Sequence, residues 1–265
     1  MKKRTIAMFL SVALCLSVAL TGCGADKSQQ SDPADDGKKS LTIAVLNDVV
    51  SLDPAVKDSS AEMQMASHLY DPLVDYDADL SKKPGLAESW EYNDDQTELT
   101  FHLRQGVTFH NGEPFNAEAV KINLEHKQSN PSFYSLKGIT DITEIEIVDE
   151  YTITLHYDHP FYAYLQDFCW PDVCTMISPK QITQGDFQTV NGYAGTGPYI
   201  YDEYVAGQYT TFVRNENYWG EQPYYDKIVA KYIPDNASRV QALKTGEIDL
   251  IYGSAELSYE DYNQA

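Results

Sequence analysis

Apolar and polar residues alternate in short runs along most of the chain after residue 40. Residues 41–46 form a β-rich apolar run, which predicts a first core strand. In residues 97–103 every second residue, Leu99, Phe101 and Leu103, is apolar, which predicts a strand with one buried face. The same patterns predict further strands at residues 86–91, 144–148, 151–156, 199–205, 209–214, 225–233 and 248–252.

Apolar residues at helical spacing occur between these strands. Asn116 is a suitable N-cap, and a helix that begins after Asp235 has a suitable end at Gly246. Pro72 disfavours helical backbone in the residue before it. Helices are therefore predicted over residues 61–69, 117–125 and 162–168 and between Asp235 and Gly246. With no internal repeat, the pattern predicts one domain of mixed α+β (α/β) class.

The first 23 residues have the pattern of an export signal with a lipid-attachment site. Lys2, Lys3 and Arg4 precede an apolar run over residues 5–20, which is short for a membrane span of ~20 residues. The sequence Leu-Thr-Gly-Cys that ends at Cys23 resembles a bacterial lipobox, in which the cysteine thiol receives a diacylglycerol. The alternative is an ordinary signal peptide, removed near residue 22, with an incidental cysteine.

Composition agrees with an exported, lipid-anchored domain. Residues 23–40 are polar and predict a flexible tether between the membrane and the folded domain. The 265 residues include 40 acids and 19 bases, so the net charge is −21, and loss of the three bases in residues 1–22 would make it −24. This acidity counts against a nucleic-acid partner, because phosphate binding needs clustered Lys and Arg. It favours a cationic or zwitterionic ligand at the extracytoplasmic face of the cell membrane.

The residues that could carry chemistry do not form a catalytic pattern. Cys169 and Cys174 lack a zinc-site spacing, and two packed free thiols are favoured over a disulfide. The glycine-rich residues 195–198 lead into a β-rich run, so a tight turn is favoured over a phosphate cradle. The six histidines are expected to be structural or exposed, and no serine elbow is present. The sequence predicts no enzyme and no cofactor, assigns no metal site, and disfavours an exported hydrolase.

Two ordered blocks of sequence resemble a known family. The first comprises residues 86–90, 100–115 and 117–120, and the second comprises residues 195–199, 213–220, 233–235 and 246–250, with Tyr-Asp-Pro-Leu at 70–73 in addition. Both blocks are similar to the family 5 solute-binding proteins of bacterial ABC importers, the peptide and nickel group. The resemblance implies the type 2 fold of periplasmic binding proteins. It also implies a small peptide or nickel-chelate ligand, and ABC permease and ATPase subunits as partners.

The resemblance also indicates where a ligand would lie. Residues 213–221 and 245–253 look most like the nickel-binding branch, which grips a small chelate with an arginine and aromatic side chains. At that arginine position this chain has Asp172, a departure that keeps peptide and nickel chelate open as alternatives. The resemblance places the ligand-facing residues at Lys57, Met63, Tyr134, Trp170 and Asp172.

Members of this family are about twice as long as the present chain. Residues 41–265 are therefore expected to form the first lobe, with core strands in 41–60 and 190–265 and an inserted subdomain at about 61–189. The second lobe is expected to be missing, which predicts a truncated or split receptor that traps ligand weakly or not at all on its own. The alternative function is an exported sensor or interaction module that reuses the same lobe.

Overall fold

The computed structural model describes residues 39–54, 60–170, 174–184 and 193–252. The strands in these residues are β1 Ser40–Val45, β2 Val74–Tyr76, β3 Lys82–Pro84, β4 Ala87–Tyr92, β5 Glu98–Leu103, β6 Ile142–Asp149, β7 Thr152–Tyr157, β8 Tyr199–Val205, β9 Tyr209–Arg214, β10 Lys227–Tyr232 and β11 Leu250–Ile251. The helices are α1 Ser60–Ala66, α2 Ala117–Ser129, α3 Lys137–Thr140, α4 Tyr164–Asp167, α5 Pro179–Gln184 and α6 Asn236–Thr245, with a 3-10 turn at Pro131–Phe133.

A five-stranded sheet joins the two ends of the described chain. Its strand order is β11-β1-β10-β9-β8, with β1 parallel to β10 and β11 and the other pairs antiparallel. One face packs against α1 around Ile43, Val45 and Phe212. On the other face Ala44 contacts Ala242 of α6 and Ile248. Because β1 pairs with strands more than 180 residues later, this sheet forms only by long-range contact.

A second, antiparallel sheet is built from the middle of the chain. Its order is β4-β5-β7-β6, and β2 and β3 form a separate short hairpin. The alternating side chains Leu99, Phe101 and Leu103 are buried, as their period of two predicts. They share a core with the apolar side of α2 and with Phe168.

Most sequence-predicted elements are found, with corrections at several boundaries. The strands predicted at 199–205 and 209–214 match the observed strands, and Asn116 caps α2 by accepting a hydrogen bond from the Ala119 N–H at 3.0 Å. Helix α2 continues to Ser129, four residues beyond its predicted end. Helix α1 stops at Ala66, because the amides of His68 and Leu69 bond three residues back in a tighter turn.

The short elements β2, β3, α3 and α5 were not predicted. The amino end of helix α5 is hydrogen-bonded to a distant side chain. The Glu113 carboxylate accepts from the Lys180 N–H at 3.1 Å and from the Ser178 hydroxyl, so it satisfies the amino end of α5 from 67 residues away. In the described part of the chain, no helix has the length and apolar character needed to cross a membrane.

The buried carboxylate of Asp71 connects the two core regions. Asp71 follows Tyr70 of the α1 core and precedes Leu73 of the middle core. Its Oδ2 accepts from the Thr196 hydroxyl and from the Trp219 indole N–H, both at 2.8 Å. Its Oδ1 accepts from the Tyr218 hydroxyl at 3.2 Å. Burial raises the pKa of Asp71, and these three donors oppose that rise.

The glycine-rich residues beside Asp71 are required by close packing. A Cβ on Gly195 would lie 1.9 Å from the Leu69 carbonyl oxygen, and one on Gly197 would lie 2.7 Å from it. His110 closes the same region: its Nδ1 accepts from the Gly195 N–H at 3.3 Å, and its Nε2 lies 3.0 Å from the Gly197 carbonyl. This arrangement fits the neutral Nε2–H tautomer, and burial lowers the pKa of His110.

Two substitutions of Asp71 distinguish the loss of a hydrogen-bond acceptor from the loss of a negative charge. We expect Asp71→Ala to lower the free energy of unfolding by about 2–4 kcal/mol, because one buried and two partly buried donors lose their acceptor. Asp71→Asn should cost only about 1 kcal/mol, because its amide oxygen can accept from Trp219 and Thr196 while its N–H donates to the Tyr218 hydroxyl. Urea denaturation measures both changes.

Asp75→Ala is the matched control for this comparison. Asp75 is only partly buried, where it pairs with Lys83 at 3.4 Å and accepts from the Tyr76 N–H at 2.8 Å, so its loss should change stability by about 1 kcal/mol. Equal destabilisation by Asp71→Ala and Asp75→Ala would contradict the role assigned to Asp71.

Candidate functional site

The structure describes three of the predicted ligand-facing residues, and two of these are exposed aromatics. Tyr134 directly follows the 3-10 turn and is 55% exposed, and Trp170, just after α4, is 48% exposed. Met63 lies on α1 and is partly buried. Lys57, Asp172 and the predicted lipidation site Cys23 lie outside the described residues. Among the described ring contacts and hydrogen bonds, none joins Met63, Tyr134 and Trp170 to one another.

These residues are instead related through the segments that carry them. Lys127 of α2 is fully buried, and its Nζ donates to the Thr175 carbonyl at 2.9 Å. The N–H of the preceding residue, Cys174, bonds to the Trp170 carbonyl. The same Nζ lies 5.5 Å from the ring centroid of Phe133, the neighbour of Tyr134. One ammonium group therefore contacts the segments of both exposed aromatics.

Residues 51–54, which follow β1, interact electrostatically with the buried Lys127. The Asp53 carboxylate is buried and close enough to Lys127 to favour its protonated form. The Ser51 N–H donates to Glu62 Oε1 at 3.0 Å, which ties this segment to α1 beside Met63. All the described segments with predicted ligand residues thus converge on Lys127 and Asp53.

Helix α2 also holds the extended residues that follow Cys174. The Asn123 amide accepts from the Ile177 N–H at 2.9 Å and donates to the Ile177 carbonyl at 2.8 Å, as a neighbouring strand would. Lys127 lies four residues further along the same face of α2. Sequence reasoning missed Lys127 because the predicted helix ended too early. Its spacing from Val120 and Leu124 would have placed it on the buried face.

Lys127 is a cation that is buried away from water. Burial lowers the pKa of Lys127 to about 8, and the nearby Cys174 and Asp53 oppose that change. The Tyr70 hydroxyl and Thr175 Oγ1 are buried without a hydrogen-bond partner among the described residues. Cys169 and Cys174 are buried free thiols. No group of three or more His, Cys, Asp or Glu side chains suited to a metal ion occurs in the described residues.

The sequence that builds these sheets and the buried Lys127 centre matches that of a known protein family. The model of the bacterial extracellular solute-binding proteins, family 5 (middle region), matches residues 82–265. The chain belongs to this family. The resemblance read from the two sequence blocks is thereby confirmed.

Relatives of known name agree with this assignment. The chain is 39% identical over 200 residues to the nickel-binding periplasmic protein of Escherichia coli (strain K12), covering 74% of this chain and 38% of that protein. It is 35% identical over 222 residues to the glutathione-binding protein GsiB of Pectobacterium atrosepticum, covering 81% and 42%.

A solved structure confirms the fold class. The chain is similar to NikA from Brucella suis in complex with Fe(III)-EDTA, with a TM-score of 0.77 and 35% identity over 85% of this chain and 46% of that one. The fold is therefore the mixed α/β, type 2 periplasmic-binding fold that the sequence predicted. The chain spans less than half the length of each of these proteins.

The low pKa of Lys127 makes its contribution to stability depend on pH. The folded state loses this proton near pH 8 and the unfolded state only near 10.5, so the unfolded state binds more protons in between. The wild type should therefore become more stable relative to Lys127→Met between pH 8 and 10.5. The difference in their free energies of unfolding should change by up to about 1.4 kcal/mol per pH unit.

Denaturation at pH 7.5, 8.5 and 9.5 measures this slope. Lys121→Met is the matched control, since Lys121 lies on the same helix with a partly exposed side chain, 4.0 Å from Glu125. The difference in free energy of unfolding between Lys121→Met and the wild type should not change with pH. A difference between the wild type and Lys127→Met that stays constant with pH would contradict the assigned burial of the charge.

Proposed function

We propose that the chain is the substrate-binding component of a bacterial ABC importer and takes a nickel chelate or a short peptide as ligand. The observation that carries this proposal is the pair of exposed aromatics, Tyr134 and Trp170, whose segments are fixed by one buried anchor in a family 5 chain. Flat, exposed aromatic faces suit the apolar and cationic surfaces of such ligands. ABC permease and ATPase subunits are the partners in this proposal.

Both ligand classes have support. Two relatives are named for binding nickel and glutathione respectively. The net charge of −21 favours a cationic or zwitterionic ligand over an anionic one. Asp172, at the position where the nickel branch has arginine, and Lys57 are the further ligand contacts in this proposal.

The domain organisation is proposed on the same basis. The strands β1 and β8–β11 share one sheet and β4–β7 share another, which supports a core formed by residues 41–60 and 190–265 with an insert at about 61–189. Helix α1 falls within the proposed insert but packs on the core sheet, so the insert is better begun after α1. The proposed lipid on Cys23, the proposed amino terminus after cleavage, would hold this unit at the extracytoplasmic membrane face through the tether of residues 23–40.

Ligand binding tests the proposal directly. Calorimetric titration with nickel in two equivalents of L-histidine, and separately with glutathione, should give heat from weak binding, with a Kd no tighter than millimolar, for one of the two. Trp170→Ala should weaken that binding about three- to tenfold, because a stacking face is lost. Tyr162→Ala is the control, since Tyr162 is an aromatic residue that is 90% exposed outside the predicted site. Equal effects of the two substitutions would contradict the proposed surface.

Lipid attachment is tested separately in a bacterial host. Cys23→Ser should move the protein from the membrane fraction to the soluble extracytoplasmic fraction and remove the diacylglycerol mass from its amino-terminal peptide. Cys15→Ser, within the apolar signal run, should leave both unchanged. A membrane-bound Cys23→Ser protein of unchanged mass would show that Cys23 is not the anchor.

A further inference from the structure

One buried side chain lies beneath the segments that carry the exposed aromatics. Lys127 is fully buried, so it cannot touch a ligand at the surface. It binds the Thr175 carbonyl, lies against the Phe133 ring, and interacts electrostatically with Asp53. These three partners belong to separate parts of the chain. Any change in Lys127 is therefore transmitted to all of them.

We propose that Lys127 is a positioning residue for the ligand-facing surface: its ammonium attracts Asp53 and binds the Thr175 carbonyl, and so fixes the segments of Trp170, Tyr134 and Ser51–Pro54 relative to one another. This role rests on the proposed ligand-binding function. It adds to that function a residue that controls affinity without contacting the ligand. No resemblance to a ligand-binding motif marks Lys127 in the sequence.

The charge of Lys127 faces a small set of groups. Asp53 and the Cys174 thiol favour the protonated amine, and His126 is the titratable neighbour on α2. The Phe133 ring presents no titratable group, and the Tyr70 hydroxyl interacts with Asp53 rather than with the amine. Raising the pH through about 8 removes the attraction to Asp53, whereas a neutral amine still donates to the Thr175 carbonyl.

If Lys127 positions the ligand-facing surface, ligand affinity and the free energy of unfolding should change with pH in opposite directions. The contribution of Lys127 to the free energy of unfolding rises with pH, because the neutral amine is less costly to bury. Ligand affinity should fall over the same range, because Asp53 loses the charge that holds its segment. A merely structural role for Lys127 would not lower affinity while stability rises.

Calorimetry on the full chain at pH 7.0 and 9.5 tests this, with nickel in two equivalents of L-histidine and with glutathione as the two probes. We expect Lys127→Met to bind about tenfold more weakly than the wild type at pH 7.0, and about threefold more weakly at pH 9.5, where the neutral amine of the wild type still donates to the Thr175 carbonyl. Comparing the two proteins at each pH cancels changes in the probe itself. Lys121→Met should match the wild type at both. Equal affinities at pH 7.0, or a tenfold ratio that persists at pH 9.5, would overturn the proposal.

Hydrogen exchange provides a second measurement that needs no ligand. In Lys127→Met and in Asp53→Asn, the protection of the Ser51 and Asp53 amides, which bond to Glu62 and to the Ser51 hydroxyl, should fall at least fivefold. The amide of Phe212 in β9 should keep its protection. If no probe binds the wild type, the proposed function fails and exchange alone decides the role of Lys127. Unchanged protection at Ser51 and Asp53 would overturn that role.

Discussion

The structure depends on a buried carboxylate whose described side-chain donors are all neutral. Asp71 lies between the two core regions and accepts from the side chains of Thr196, Tyr218 and Trp219. A desolvated charge without donors would cost several kcal/mol, so the three donor segments are held at this point. The close approach of Gly195 to Leu69 and the neutral tautomer of His110 follow from the same convergence.

Lys127 presents the converse case of a buried cation. Its single described hydrogen bond to a carbonyl and its attraction to Asp53 only partly offset burial, so its pKa falls to about 8. Such a group is poorly explained by stability alone, because an apolar side chain of similar size would fill the same space without the desolvation cost. Its position under Phe133, Thr175 and Asp53 gives it a reason to be charged, which is the relative placement of three segments.

In this family 5 chain, the exposed aromatics are distinct from the buried polar groups that hold their segments. The segments of the exposed aromatics Tyr134 and Trp170 are contacted by the buried ammonium group of Lys127. A binding protein gains from this separation, because a ligand contact can change without disturbing the Asp71 and Lys127 centres. The relatives named for nickel and for glutathione are consistent with one scaffold that serves different ligands.

The sequence by itself determined the elements with strong local signals, namely β5, β8 and β9, the Asn116 cap and the Gly246 end of α6. These elements depend on the spacing of apolar side chains and on backbone preferences within a few residues. The two sequence blocks that resemble the family are likewise visible in the sequence alone. Only the tertiary structure decided the partners of Asp71, whose three donors lie 125, 147 and 148 residues away. It also decided the burial of Lys127 and the existence of α5. Such contacts depend on which distant segments meet, and no local pattern of residues records that.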